Sequence, residues 1–264
     1  ITLDEPMLDN ILEVNNLCKY FGGVKAVEKI SLKVSKNSIQ TIIGPNGAGK
    51  STTLNLLSGT YFPTLGNILY KGKDVTHLEL HERVPLGMAR TFQKIRLFKQ
   101  LSVLDNVIAG FHIHHKIPFW QYILPAGAYK KNRLDCQDEA LSLLDFVGLA
   151  DKAEERAGSL PYGSQRLLEI ARALATRPEV FMLDEPAAGL NDVEVQFLMS
   201  RLKNLQNKDM TIILVEHNMK LVMKVADEIF VMDHGEYLFD GKPAEVQCNP
   251  KVIAAYLGSS GTEI

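Results

Sequence analysis

The chain has 264 residues, 46% of them hydrophobic and 23% charged, with a formal net charge of -2. That balance supplies one large core or two smaller ones and excludes a nucleic-acid binder driven by bulk positive charge. Three scattered cysteines, Cys18, Cys136 and Cys248, form neither an even framework nor a C-x-x-C pair, so a reduced, cytosolic-type environment is expected.

No run of about 18 apolar residues is present, and Ile1 to Asn10 carries three acids. The chain is therefore expected neither to be secreted nor to span a membrane by itself. Ile11 to Val14 and Ala26 to Val34 read as strands around the turn Phe21-Gly22-Gly23, and the apolar run Ile39 to Ile43 as a buried strand. Thr52 to Ser58 is expected to be a helix, Gly66 to Thr76 a hairpin turning at Lys71-Gly72-Lys73, and Leu78 to Val84 a second helix. Met88 to Phe92 reads as a strand closed by Gln93. Ser102 with Asp105 forms an N-terminal box for a helix carrying Val103, Val107 and Phe111 on one face. Phe111 to Asn132 fits no period, and Arg133 to Val147 returns to a helical pattern with Leu134, Leu141, Leu144 and Phe146 facing inward.

Beyond the break at Gly158 to Gly163, Ser164 to Thr176 is helical and Arg177-Pro178 stops it. Val180 to Leu183 reads as a buried strand, Asp192 to Gln206 as a helix, Thr211 to Val215 as a strand and Asn218 to Ala226 as a helix. Ile229 to Met232 and Tyr237 to Phe239 then form a terminal hairpin. Strands alternating with helices predict an α/β fold with a mostly parallel sheet, its ligand at the strands' carboxyl ends. A helical insert from about Lys94 to Arg172 interrupts this core.

Directly behind Ile43 stands Gly44-Pro45-Asn46-Gly47-Ala48-Gly49-Lys50-Ser51, a complete G-x-x-x-x-G-K-[ST] phosphate loop followed by Thr52. Glycines let backbone N–H groups converge on phosphate, Lys50 can reach the β- and γ-phosphates, and the Ser51 hydroxyl can hold Mg²⁺. About 130 residues later, Val180 to Leu183 ends in Asp184-Glu185. Asp184 is placed to hold Mg²⁺ and Glu185 to polarise an attacking water. His217, after the strand Thr211 to Val215, can contact a γ-phosphate, but taken alone it reads first as a structural histidine. Gln93 is a carboxamide that can orient water or metal, and the same alternative stands for it. His77, His81, His112, His114 and His115 lack carboxylate partners at ligand spacing and read as a solvated or structural face. Ile117 to Leu124, with Trp120 and Tyr122, reads as intramolecular packing rather than a membrane contact.

The order of these elements, phosphate loop, Gln93, Leu160 to Gln165, Asp184-Glu185 and His217, resembles the ATP-binding subunits of ABC transporters from about Leu12 to Gly258. The wording of Ala89 to Gln93, Pro186 to Asn191, Glu216-His217 and Val252 to Gly258 is similar to the branched-chain amino acid uptake branch. The resemblance implies a P-loop NTPase (RecA-like) core over about 10–93 and 173–245, an antiparallel β-subdomain, a helical subdomain over about 94–172 and a tail over about 246–264. It implies ATP and Mg²⁺ as ligands and Phe21 stacking on adenine. Gln93 becomes a metal contact that senses the membrane subunit, Glu185 the catalytic base and His217 the switch histidine. Gly163 would meet the nucleotide of a second ATPase subunit in trans. The implied partners are that homologous ATPase, membrane permease subunits and, indirectly, an extracytoplasmic solute-binding protein, with the chain peripheral at the cytoplasmic face of the membrane and no nucleic acid involved.

Two departures from the general family pattern stand out. Leu160-Pro161-Tyr162-Gly163-Ser164 replaces the usual Leu-Ser-Gly-Gly-Gln, removing a serine hydroxyl, and Asn191 stands where an aspartate is usual. They imply two unequal composite sites and a heterodimer in preference to a homodimer. Importers of other small solutes such as urea or amides, and soluble ABC ATPases outside transport, are the alternatives.

Overall fold

The computed structural model describes residues 10–113 and 127–259. Two sheets organise them. The first is antiparallel, in the order β2-β1-β4-β5, built from β1 (Asn10–Phe21), β2 (Val24–Ser35), β4 (Leu65–Tyr70) and β5 (Lys73–Asp74). β1 runs well beyond the expected Val14 because a register shift absorbs Asn15 and Asn16, the latter at φ 48°, and pairing with β2 then resumes.

The second sheet has the order β10-β9-β3-β8-β7-β6. Its strands are β3 (Ile39–Ile43), β6 (Met88–Arg90), β7 (Val180–Asp184), β8 (Thr211–Val215), β9 (Glu228–Asp233) and β10 (Glu236–Gly241). All neighbours are parallel except the terminal hairpin β9-β10, as expected. The central strands are apolar throughout because both faces are covered. Phe181, Leu183, Ile212 and Leu214 join one apolar cluster, and Val180, Met182, Ile213 and Val215 join another on the opposite face. Each such fully buried side chain contributes about 1.5–3 kcal/mol.

The helices are α1 (Lys50–Leu57), α2 (Leu80–Arg83), α3 (Val103–Phe111), α4 (Gly127–Phe146), α5 (Tyr162–Leu174), α6 (Asp192–Gln206), α7 (Met219–Val225), α8 (Pro243–Cys248) and α9 (Pro250–Ser259). α3, α4 and α5 cover the face carrying Phe181 and Leu183, so the helical insert and that sheet face share one core. α1 and the antiparallel sheet cover the other face. Ser102 caps α3 by accepting from the Asp105 N–H at 2.9 Å, and Val103, Val107 and Phe111 are buried as their spacing predicts.

Several boundaries differ from expectation. β6 ends at Arg90, so Gln93 lies three residues past the strand, because the Arg90 Nε–H takes the Thr91 carbonyl at 3.0 Å and the chain turns away. α5 opens two residues early, since Pro161 supplies a preset φ of -54° and needs no donor at the cap. α4 already covers Gly127, ahead of the expected Arg133, and the tail is helical in α8 and α9. Leu134, Trp120, Tyr122, His114 and His115 lie outside the residues whose side chains are described.

Candidate nucleotide site

Strand register brings the motifs to one edge. Ile42 pairs with Val215, Val215 with Asp184, and Ile43 with Val231, so the segments after β3, β7 and β8 leave the sheet side by side. At that edge the phosphate loop lines an open cleft of about 460 Å³ together with Val24, Lys25, Ala26, Glu185 and His234. Asn46, Gly47, Ala48, Gly49, Lys50, Ser51 and Thr52 all face it.

Two of the loop's glycines, Gly44 and Gly49, are obligatory here. A Cβ on Gly44 would lie 2.1 Å from the Met232 carbonyl oxygen, and one on Gly49, at φ 93°, would lie 2.4 Å from that of Ala26. The loop is thereby wedged between β9 and β2, and the Gly235 N–H of the β9-β10 turn donates to Ala48 O at 3.2 Å. Lys50 is 7% exposed, and its Nζ donates to Gly44 O at 2.7 Å and Pro45 O at 2.8 Å. Burial pulls its pKa down while the Glu185 and Asp184 carboxylates oppose that shift. A buried cation bordering an open cleft fits a polyanion, whose charge would offset the desolvation.

Asp184 is 2% exposed. Burial pushes its carboxyl up, and the Arg90 guanidinium beside it is the main opposing influence. Its two oxygens are differentiated: Oδ2 accepts from Arg90 at 3.3 Å, whereas Oδ1 lies 3.5 Å from the Ser51 hydroxyl. A hydroxyl and a carboxylate oxygen at this corner form a hard donor set that suits Mg²⁺, which keeps most of its waters. Among the described residues no cluster of three His, Cys, Asp or Glu exists, so Zn²⁺-type ligation has no counterpart there.

Glu185 holds φ at 47°, an uncommon conformation for a non-glycine residue, and lines the cleft. Its N–H donates to Val215 O at 2.9 Å. His217 Nδ1 is 4.0 Å from Glu185 Oε1. Glu216, fully buried, fixes that turn by accepting from the His217 and Asn218 N–H groups at 3.0 and 3.1 Å and from Ala187 N–H at 2.9 Å.

Asp184 and His217 are not among the residues lining the cleft, and neither are Phe21, Gln93 and Gly163. Phe21 is 45% exposed, with its ring edge-on to Tyr61 at 5.5 Å. Gln93 is exposed in the connection after β6. Gly163, in the first turn of α5, is closed in by Glu194, whose Oε1 would be 2.3 Å from a Cβ. Asn191 is the cap of α6, accepting from Val193 and Glu194 N–H groups at 3.0 Å each, and Glu194 Oε2 returns a bond to Asn191 N–H at 2.9 Å.

Sequence reasoning missed Arg90, Arg166, His234 and Tyr256. Arg90 also donates to Asn55 Oδ1, Ser58 Oγ and Thr60 Oγ1 at 2.7, 2.8 and 3.2 Å. Tyr256, on α9, packs on the cluster containing Ile43; burial raises its phenol pKa, opposed by the nearby Gly44 backbone. The only signal for the arginines in the sequence was their place beside Gln93 and inside an amphipathic helix.

The family described as "ABC transporter" matches residues 27–188, and the family "Branched-chain amino acid ATP-binding cassette transporter" matches 238–262. The chain is 42% identical over 251 residues to the high-affinity branched-chain amino acid transport ATP-binding protein BraF of Pseudomonas aeruginosa, spanning 95% of this chain and 98% of that protein. It is 40% identical over 255 residues to LivG of Escherichia coli K12, a protein of the same description, spanning 96% and 100%. Among solved structures, the ADP conformation of an ATP-binding cassette of an ABC transporter superposes with a TM-score of 0.82 at 31% identity, covering 94% of this chain and 99% of that one. A nucleotide-free cassette superposes with a TM-score of 0.81 at 31% identity, covering 94% and 98%. With a wedged phosphate loop, a buried lysine and the Asp184-Glu185 corner on one sheet edge, and relatives aligned over nearly the full chain, the protein belongs to the ATP-binding subunits of ABC transporters.

Proposed function

We propose that this chain is the ATP-hydrolysing subunit of an importer for branched-chain amino acids. The observation that carries the solute class is the 42% identity, across 95% of the chain, with a transport ATPase of that description. The site itself supports the ATPase chemistry.

In this reading the loop amides from Gly44 to Ser51 and the N-terminus of α1 cradle the phosphates, with Thr52 at their edge. Lys50 exchanges its two backbone acceptors for phosphate oxygens. Phe21 offers an aromatic face to the adenine. Asp184 Oδ1 and Ser51 Oγ, with Gln93 as a further oxygen donor, would hold Mg²⁺, which supplies charge neutralisation on the phosphates. Glu185 accepts the proton of the attacking water, and its fixed backbone keeps the carboxylate on the cleft side. In this reading His217, 4.0 Å from that carboxylate, meets the γ-phosphate and reports its loss. Relative to water, general-base assistance of this kind supplies about 10²–10⁴-fold.

A second, homologous ATPase completes the site by presenting its signature segment, and Gly163 at the start of α5 does the same for the partner's nucleotide. Pro161 and Tyr162 replace the hydroxyl donor of the usual signature, so the two sites are unequal and the partner is a different chain. Nucleotide between the subunits favours closure, and loss of the γ-phosphate removes that bias. Permease subunits at the cytoplasmic face of the membrane receive the motion, and the solute-binding protein acts through them. Among the described residues no helix is long and apolar enough to cross a membrane.

The test is purification of the tagged chain from its native membrane, followed by reconstitution. Co-isolation of permeases and a second ATPase, with ATP hydrolysis stimulated by leucine-loaded binding protein, is expected. Stimulation only by a chemically different solute would overturn the solute class. Inactivating each phosphate-loop lysine separately tests the asymmetry, which equal effects on hydrolysis would refute.

A further inference from the structure

Arg166 and Glu169 lie one turn apart on α5 and are 0% and 2% exposed, one of the most buried charge pairs in the described chain. Arg166 Nη1 donates to Glu169 Oε2 at 2.8 Å and to Phe92 O at 2.5 Å, and Nη2 donates to Asp184 O at 2.5 Å and Glu185 O at 2.8 Å. Glu169 Oε1 in turn accepts from the Arg96 N–H at 3.3 Å. A buried ion pair of this kind is weak as a source of stability, because desolvation offsets its Coulombic gain. What distinguishes this pair is where its bonds go.

Two segments are held at once. The turn carrying exposed Gln93 is pinned at both ends, at the Phe92 carbonyl and the Arg96 amide. The Phe92 ring is further engaged by the guanidinium groups of Arg90 at 4.8 Å and Arg96 at 4.2 Å. On the other side, the same guanidinium holds the carbonyl of Glu185, whose backbone sits at φ 47°. Such a conformation persists only where surroundings over-determine it, and the Val215 carbonyl, the Ala188 N–H and Arg166 supply three ties, of which Arg166 alone comes from a side chain.

We propose that Arg166, seated by Glu169, is a positioning residue that locks the Glu185 backbone and couples it to the Gln93 turn and to the displacement of α5. The inference rests on Glu185 being the base. Because α5 begins at Tyr162 and Gly163, any rotation of that helix on subunit assembly moves the guanidinium, and with it the carbonyl ends of β6 and β7. Gln93 and Glu185 therefore respond together.

The experiment compares R166M, R166K and E169Q with the wild type, measuring nucleotide affinity, kcat and KM, each also in an E185Q background. R166M is expected to lower kcat about 10- to 100-fold, the scale of a roughly 1 Å misplacement, with nucleotide affinity within about twofold of wild type. R166K, retaining up to three donors, is expected to fall between. In E185Q the same change is expected to alter the residual rate less than about twofold, because both act through one group. A merely structural role predicts falling affinity, falling kcat and an undiminished effect in E185Q, and that result overturns the proposal. So does R166M at wild-type kcat. Should R166M fail to fold, R166K and E169Q decide by the same split, and unchanged kcat in both refutes the coupling. E185Q turning over normally would overturn the base reading and this inference with it, whereas an inactive E185Q beside a fully active R166M removes the inference alone.

Discussion

Replacing Lys50 with methionine separates the lysine's role in the loop from its role toward a ligand. In the wild type, Nζ makes two charge-assisted bonds to Gly44 O and Pro45 O at 2.7 and 2.8 Å, each contributing about 1.5–3 kcal/mol. Against them stands the cost of holding an ammonium group at 7% exposure, which already lowers its pKa despite two nearby carboxylates. The methionine removes both, so the two lost bonds and the relieved desolvation act in opposite directions. The nucleotide-free melting temperature is therefore expected to stay within about 4 °C, roughly 1 kcal/mol for a chain of this size. The ligand-induced shift behaves differently. At nucleotide near 100 times Kd the wild type gains about 2.7 kcal/mol, or roughly 5–10 °C. In K50M the shift at the same concentration should fall below about 2 °C, since the cation that compensates phosphate charge is gone. Thermal melting followed by fluorescence with and without Mg-ADP measures both numbers. A K50M protein that keeps the full shift would refute the phosphate assignment; one that melts more than 8 °C lower without nucleotide would show that Lys50 mainly holds the loop together.

Two further perturbations probe the edges of the site. Asn191→Ala removes both cap bonds of α6 and is expected to cost about 1 kcal/mol. Gly163→Ala must push Glu194 off the Asn191 backbone N–H, a bond that N191A leaves in place, so its stability cost should persist in N191A and nearly vanish in an E194A background; full additivity with E194A in denaturant titrations would disprove the mechanism. Phe21→Ala should weaken ATP binding roughly two- to tenfold, the worth of one aromatic stack at about 0.5–1.5 kcal/mol, and unchanged affinity would leave Phe21 only its contact with Tyr61.

The parts legible in the sequence were those whose signal is local. β8 over Thr211–Val215 and α6 over Asp192–Gln206 fall on the expected residues, because one is a continuous apolar run and the other has Asn191 and Glu194 at capping distance. The phosphate loop was legible for the same reason: its glycines answer to close approaches from Met232 and Ala26 that no other residue tolerates. Arg90 and Arg166 were not legible. Their acceptors lie as far as 94 and 74 residues away in the chain, and a buried arginine on a helix reads from sequence as an exposed polar position. The extent of β1 was hidden by the Asn15-Asn16 bulge, which breaks the two-residue alternation while the ladder continues. Gln93 was assigned to a strand end, whereas side-chain bonding by Arg90 terminates β6 before it.

The base role proposed for Glu185 is tested most directly by its amide. In E185Q, equilibrium binding of ATP with Mg²⁺ should keep an affinity within about twofold of wild type while steady-state phosphate release falls about 10²–10⁴-fold. Turnover at the wild-type rate in a variant that still binds ATP would contradict it.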